Sequence, residues 1–189
     1  MSISKGNSKL GNDLPNIATT PIKACGNCQA CSQDCYALKA YRMYPSVKKS
    51  WDSNYAMATN EPVKYFNMVS DYIGKHSPRF FRWHVSGDIL SQSYLDSMKQ
   101  LARKHKDTIF LAFTKMYTLN YSNVPSNLRV VFSAWPGLNM PNKPFPIAYM
   151  QDGTENRVPS DARECPGDCE HCGLCWSLGK TESVVFYKH

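Results

Sequence analysis

Residues 79–113, RFFRWHVSGDILSQSYLDSMKQLARKHKDTIFLAF, hold a strand, a helix and a second strand in one continuous run. Arg79 to Val85 is rich in aromatic side chains and stops at the sharp Ser86-Gly87-Asp88, the signature of a strand leaving a sheet. Ser91 to His105 reads as a helix. Thr108 to Phe113 is an almost unbroken apolar run, as expected of a strand buried on both faces. A strand, helix, strand unit crosses over right-handed and makes its two strands parallel, which places the chain in the α/β class.

Working outward, Arg129 to Ala134, Phe145 to Met150 and Ser183 to Tyr187 supply three more strands. Upstream, Glu61 to Ile73 spaces Val63, Phe66, Val69 and Ile73 at helical intervals, with Asn60 as cap and Pro62 in the first turn. Asp34 to about Met57 is helical in pattern but interrupted by Pro45, so two short helices are expected there. The first 24 residues are polar and punctuated by glycine and proline, an extended arm. Five strands are too few for an eight-stranded barrel of about 250 residues. The expected architecture is an open or partial β/α-barrel-like parallel sheet in a single domain, 1–189, with metal-binding loops at both chain ends.

The chain has 189 residues, 42% of them hydrophobic and 20% charged, enough to bury a core without crosslinks. No apolar run approaches the about 18 residues needed to span a bilayer, and the opening residues lack the apolar middle of a secretory signal. These features predict a cytoplasmic protein with no membrane association. There disulfides are rare and grouped thiols usually bind metal. The formal net charge of +7 counts every cysteine as neutral. Two oxidised four-iron clusters, each of core charge +2 on four thiolates, would lower it to about +3, so the basic excess is weak support for a nucleic-acid partner.

The chemistry is concentrated in eight cysteines, all in two groups: Cys25-x2-Cys28-x2-Cys31-x3-Cys35 and Cys165-x3-Cys169-x2-Cys172-x2-Cys175. The second group repeats the spacings of the first in reverse. Two-residue gaps let thiolates converge from a tight loop on one centre, and Gly26, Asn27, Gly167 and Gly173 suit such turns. The first spacing is that of bacterial ferredoxins, although Tyr36 replaces the proline that follows the last cysteine there. One or two [4Fe-4S] clusters are therefore expected. Zn2+ is the alternative, with Cys25-x2-Cys28 and Cys172-x2-Cys175 forming a split ribbon, and a purely structural staple or a disulfide scaffold are the bland ones. The groups lie far apart in sequence, so shared or adjacent centres require the two chain ends to meet.

Several segments resemble the phage gene product 88 family: Asn7-Ser8-Lys9-Leu10-Gly11, Cys31-x3-Cys35-Tyr36-Ala37, His84-Val85-Ser86-Gly87-Asp88, Thr114-Lys115 and Cys172-Gly173-x-Cys175-Trp176. The resemblance implies a cysteine-rich bacteriophage protein in the host cytoplasm and assigns no activity. Cys165-x3-Cys169-x2-Cys172 also has the spacing of the cluster loop of radical S-adenosylmethionine enzymes, a more distant likeness that implies a partial β/α barrel. The loop here lies near the C-terminus, His171 takes the usual aromatic position, and no Gly-Gly-Glu segment is present.

In parallel sheets, ligands bind beyond the carboxyl ends of the strands. That singles out His84, Ser86 and Asp88 after the first strand and Thr114 and Lys115 after the second, with Ser133, Trp135, Gln151 and Asp152 beyond later ones. His84 beside Asp88 suggests proton exchange, and Lys115 an anion contact; the plainer alternatives are a core histidine, a helix cap and a solvated lysine. No phosphate-binding glycine loop, His-Glu-x-x-His or nucleophile elbow is present. The sequence thus predicts a phage-encoded iron–sulfur protein with a redox or cluster-dependent role and a host protein or electron-transfer partner. The competing reading is a zinc-stabilised module that binds nucleic acid or a host protein.

Overall fold

The computed structural model describes residues 1–6, 10–26, 31–142 and 144–187, with the side chain of Glu170 excepted. Cys28, Asn27 and the Asn7-Ser8-Lys9 part of the arm lie outside the described residues.

The predicted unit is present as β1 (Phe80–Trp83), α4 (Gln92–Lys104) and β2 (Ile109–Thr114), preceded by α1 (Tyr36–Met43), α2 (Pro45–Asn60) and α3 (Pro62–His76). It is followed by β3 (Leu128–Ala134), β4 (Ile147–Gln151), β5 (Arg163–Glu164), α5 (Cys169–Cys172), a 3-10 turn at Leu174–Trp176 and β6 (Ser183–Tyr187). All strand pairs are parallel, in the order β1-β2-β3-β4-β6-β5. The class and the parallel sheet are as expected. The sheet is open, with β1 and β5 at its edges, and among the described residues no strand pairing closes it into a barrel. The two-residue β5 has no pattern of its own in the sequence and exists through its pairing with β6.

Pro45 and Pro62 each begin a helix, where a missing N–H costs nothing. In α3 the buried stripe is Tyr65, Phe66, Val69, Ser70 and Ile73. Val63, expected on that stripe, is 76% exposed, because at 100° per residue it falls about a quarter turn away from the stripe's centre. Ser91 caps α4, its side chain accepting from the Tyr94 N–H at 3.2 Å; Asp88, the other candidate cap, is used elsewhere.

Period-two alternation divides the sheet between two covers. Phe81, Trp83, Phe110, Val130 and Phe132 pack with Tyr65, Val69, Leu95 and Met98 of the helices. On the opposite face Phe80, Ile109, Leu111, Phe113, Val131 and Val184 meet Leu174, Cys175, Trp176 and Leu178, with the Trp176 ring 4.7 Å from that of Phe80. The C-terminal cysteine segment is therefore part of the cover of one sheet face.

The N-terminal arm is extended, as expected, and it is held to the sheet. Pro15 to Pro21 are buried, and the arm lies along the free edge of β1: the Ile17 N–H donates to the Arg82 carbonyl (3.1 Å), the Arg82 N–H to that of Pro15 (2.9 Å) and the Val85 N–H to that of Ile17 (3.2 Å). Backbone hydrogen bonds that a strand edge leaves open explain the placement.

Candidate metal centre

The arm fixes where the first cysteine group starts. The Thr19 N–H donates to the Ser86 carbonyl (2.9 Å) and the Asp88 N–H to that of Ala24 (2.8 Å), so Cys25 follows directly from the loop beyond β1. Gly87 permits this: its φ is +86°, and a Cβ there would stand 2.0 Å from Thr19 Oγ1. Gly26 rests on Met116, whose Sδ would lie 2.2 Å from an added Cβ. Cys35 precedes the first turn of α1, and the Tyr36 hydroxyl donates to the Val85 carbonyl. Both ends of the group thus meet the carboxyl end of β1.

The second group follows β5. The Cys165 N–H donates to the Val185 carbonyl (2.9 Å), Asp168 begins α5 with its side chain accepting from the His171 N–H, and Gly173 turns the chain at φ +62°. No disulfide joins the described cysteines. Burial first, and then the thiols of Cys165, Cys169 and Cys172, push the Cys175 thiol up to about 12, while Arg82 opposes the rise. Cys169 is raised in the same way, burial being the main cause, with Arg82 again opposing. Without metal these thiols hold their protons at neutral pH. Among the described residues, no three Cys, His, Asp or Glu side chains are grouped so as to hold a metal ion.

Arg82 lies on the side of the second group. It projects from β1 toward the cysteine-covered face, its guanidinium 4.0 Å from the centroid of the Phe113 ring. Burial draws its pKa down, countered by Tyr36, Cys175 and Cys169; Tyr36 in turn stands in the field of Cys35, Cys25 and Cys31. Nε of Arg82 is buried without a hydrogen-bond partner, and no carboxylate pairs with this arginine among the described residues. Arg129 on β3, in register with Leu111 as Arg82 is, has a similarly orphaned Nε. Sequence reading missed Arg82. The available signal was an arginine within a run of aromatic residues that a buried strand requires.

The pocket candidates lie at the carboxyl ends of β1 and β2, but they do not form the expected proton-exchanging pair. His84 Nε2 is 3.1 Å from the Tyr94 hydroxyl, which donates to that of Tyr65 (3.0 Å). Asp88 instead accepts from Thr114 Oγ1 (2.6 Å), the Ile89 N–H (2.7 Å) and the Lys115 N–H (2.9 Å). It therefore ties the loop after β1 to the loop after β2. Ser86 is buried with its Oγ unpartnered. The Lys115 ammonium lies 5.2 Å from the Trp135 ring centroid, and the Ser133 carbonyl accepts from the Tyr117 hydroxyl. Gln151 and Asp152 close turns, accepting from the Gly153 and Thr154 N–H groups. Replacing Asp88 by asparagine is expected to destabilise the protein by about 1–3 kcal/mol, because the new amide N–H2 opposes a buried donor. Urea unfolding measures it, and an unchanged midpoint would refute the tie.

The family described as Gene product 88 matches residues 1–178, a span that includes both cysteine groups. The chain belongs to the gene product 88 family. Two relatives of the gene product 88 chain are each called Gene 88 protein. One, from Mycobacterium phage D29, is 26% identical over 189 residues, covering 82% of this chain and 78% of the relative. The other, from Mycobacterium phage L5, is 25% identical over 178 residues, covering 77% and 74%. No solved structure matches, so the likeness to radical S-adenosylmethionine enzymes has no structural neighbour behind it. Among the described residues of this gene product 88 protein, no helix is long and apolar enough to cross a membrane.

Proposed function

We propose that this phage gene product binds iron–sulfur clusters through its two cysteine groups and has a redox or cluster-dependent role in the host cytoplasm, with a host or electron-transfer protein as partner. The observation that supports the reading is that both ends of the first group are tied to the carboxyl end of β1, while the second group covers the sheet face on which Arg82 of that strand projects. The donor set fits. Arg82 is half-buried, but its Nε is buried without a hydrogen-bond partner; negative charge beside it would satisfy that donor, and the protonated thiols of Cys169 and Cys175 do not supply it. Metal ligation turns thiols into thiolates, and a [4Fe-4S]2+ centre on four of them has a net charge of −2. When bound, such a centre supplies one-electron chemistry. Cys25, Cys31 and Cys35, with Cys28, would hold one, and Cys165, Cys169, Cys172 and Cys175 the other.

Zn2+ on four thiolates has the same net charge, so Arg82 does not choose between the metals. The spacing Cys25-x2-Cys28-x2-Cys31-x3-Cys35 favours iron, being that of ferredoxin-type cluster ligands. The test is iron, acid-labile sulfide and zinc content of protein purified without oxygen. About eight irons and eight sulfides per chain are expected for two centres, and about four of each for one. Stoichiometric zinc without sulfide would overturn the redox reading in favour of a zinc module that binds nucleic acid or a host protein.

A further inference from the structure

We infer that Ser70 is an acyl-accepting nucleophile with His105 as its base, in a groove lined by α2, α3 and α4 that takes carboxylic esters with an apolar acyl chain. The inference goes beyond the metal-binding reading above and does not depend on it.

Ser70 stands on the buried stripe of α3, between Phe66 and Ile73, and is 7% exposed. A hydroxyl on an apolar stripe needs partners, and Ser70 finds them at the end of α4. The Lys104 ammonium donates to Ser70 Oγ at 2.8 Å, and His105 Nε2 lies 2.8 Å from the same oxygen. An ammonium has donors only, so the lysine occupies a lone pair of the serine and leaves the hydroxyl hydrogen for His105. Burial, and then the charge of Lys104, hold the His105 pKa below the usual histidine value, so at neutral pH the imidazole is in its proton-accepting form. Its backbone is held from three directions. The N–H donates to the Leu101 carbonyl (3.0 Å), and the carbonyl accepts from the Thr108 N–H (3.2 Å) and from Asn127 Nδ2 (3.0 Å). A serine within hydrogen-bond reach of a fixed, neutral base is the arrangement that nucleophilic catalysis requires. A simple tie between two helices would be met by either partner alone.

The serine also has a place for a substrate. Ser70 and Lys104 line a groove of about 680 Å3 that continues to Ala24 and Gly26. Ala58, Phe66, Leu90, Tyr94 and Leu101 give it an apolar wall suited to an acyl chain. Among the described residues, Lys23 and Lys104 are the only charged side chains lining it, which favours a neutral ester and its carboxylate product over a cation.

The chemistry closes on these residues. Ser70 Oγ bonds to the ester carbonyl carbon as its proton passes to His105 Nε2, and the Lys104 ammonium, on a flexible stem, neutralises the oxyanion that forms. The bond to the leaving alkoxide breaks, and that oxygen takes the proton from His105. Water then adds to the acyl-serine, giving a proton to His105. Ser70 Oγ leaves and recovers that proton, releasing the carboxylic acid.

The experiment treats the full chain, purified without oxygen, with an alkyl fluorophosphonate, which phosphonylates activated serines with loss of fluoride. Intact mass and peptide mapping follow, beside release of p-nitrophenol from p-nitrophenyl butyrate. Wild type is expected to take up one equivalent at Ser70 and to hydrolyse the ester. Ser70→Ala should abolish both, and His105→Gln should slow labelling by about a hundredfold, as loss of a general base does. No incorporation, or incorporation elsewhere, overturns the inference. So does labelling of His105→Gln at a rate within a few-fold of wild type, or ester hydrolysis that survives in Ser70→Ala. Should either variant melt below wild type, wild type decides alone: labelling of Ser70 that the butyrate ester competes away supports the inference, and labelling indifferent to the ester refutes it. Iron and sulfide content is read separately, so each reading can fail without the other.

Discussion

Serine at Cys165, Cys169, Cys172 and Cys175 together is expected to halve the iron and sulfide content, from about eight of each per chain to about four, while the matching replacement of Cys25, Cys28, Cys31 and Cys35 leaves the other half. The reason is the way the thiols are distributed. Cys175 feels Cys165, Cys169 and Cys172, whereas Cys25, Cys31 and Cys35 act on Tyr36. The electrostatic contacts of each group thus stay within its own part of the chain. Ligands drawn from both groups into one mixed centre would give a different result, with either replacement removing all the metal. Metal and sulfide analysis of the two variants beside wild type separates these arrangements. Complete loss in both would refute two centres and establish one. The serine variants should also bring a loss of stability that grows with metal loading of the wild type, because metal binding to the native state is folding free energy.

A second large effect is expected in acid. His84 is 4% exposed, and burial, with the charge of Arg82 adding to it, draws its pKa down to about 3. In the unfolded chain the imidazole titrates near 6.5. Below that pH the unfolded state takes up a proton that the native state refuses, so the stabilisation present above pH 6.5 is lost as the pH falls toward 3. The loss is on the order of 4 kcal/mol at the end of that range. His84→Asn should flatten this slope. Asparagine tolerates the left-handed backbone at φ +52° and does not titrate. Asp88 works in the other direction, since burial raises its carboxyl and favours the protonated native form. It is common to both proteins, so the difference between them isolates His84. Urea unfolding of the metal-free proteins at pH 7, 6, 5 and 4 measures it. Parallel slopes would show that His84 is not held neutral in the native state.

The parts of the fold that could be read in advance are those whose pattern is local. The strand at Phe80–Trp83, the helix at Gln92–Lys104 and the apolar strand at Ile109–Thr114 each have their own periodicity and punctuation. The two-residue β5 has none, and owes its existence to pairing with β6. The arm could be read as extended, but its polar composition does not encode its burial, which follows from backbone hydrogen bonds to the edge of β1. Within the candidate site the cysteine spacing was plain. Arg82 was not, because an arginine in a strand is by default assigned to solvent. His84 and Asp88 are close in sequence, which suggested a pair. Strand exit at a left-handed residue turned them toward different partners, Tyr94 and Thr114.

The strand order holds a consequence for synthesis on the ribosome. Strand β5 precedes β6, yet β6 lies between it and β4 and is its neighbour in the sheet. A nascent chain that has emerged as far as Glu164 has no strand for β5 to join. Cys165, whose amide is held by Val185, is placed only after β6 has slotted in beside β4. The second thiol group is therefore translated before it is positioned, and a metal held by it would enter a chain whose sheet is already complete or enter out of register.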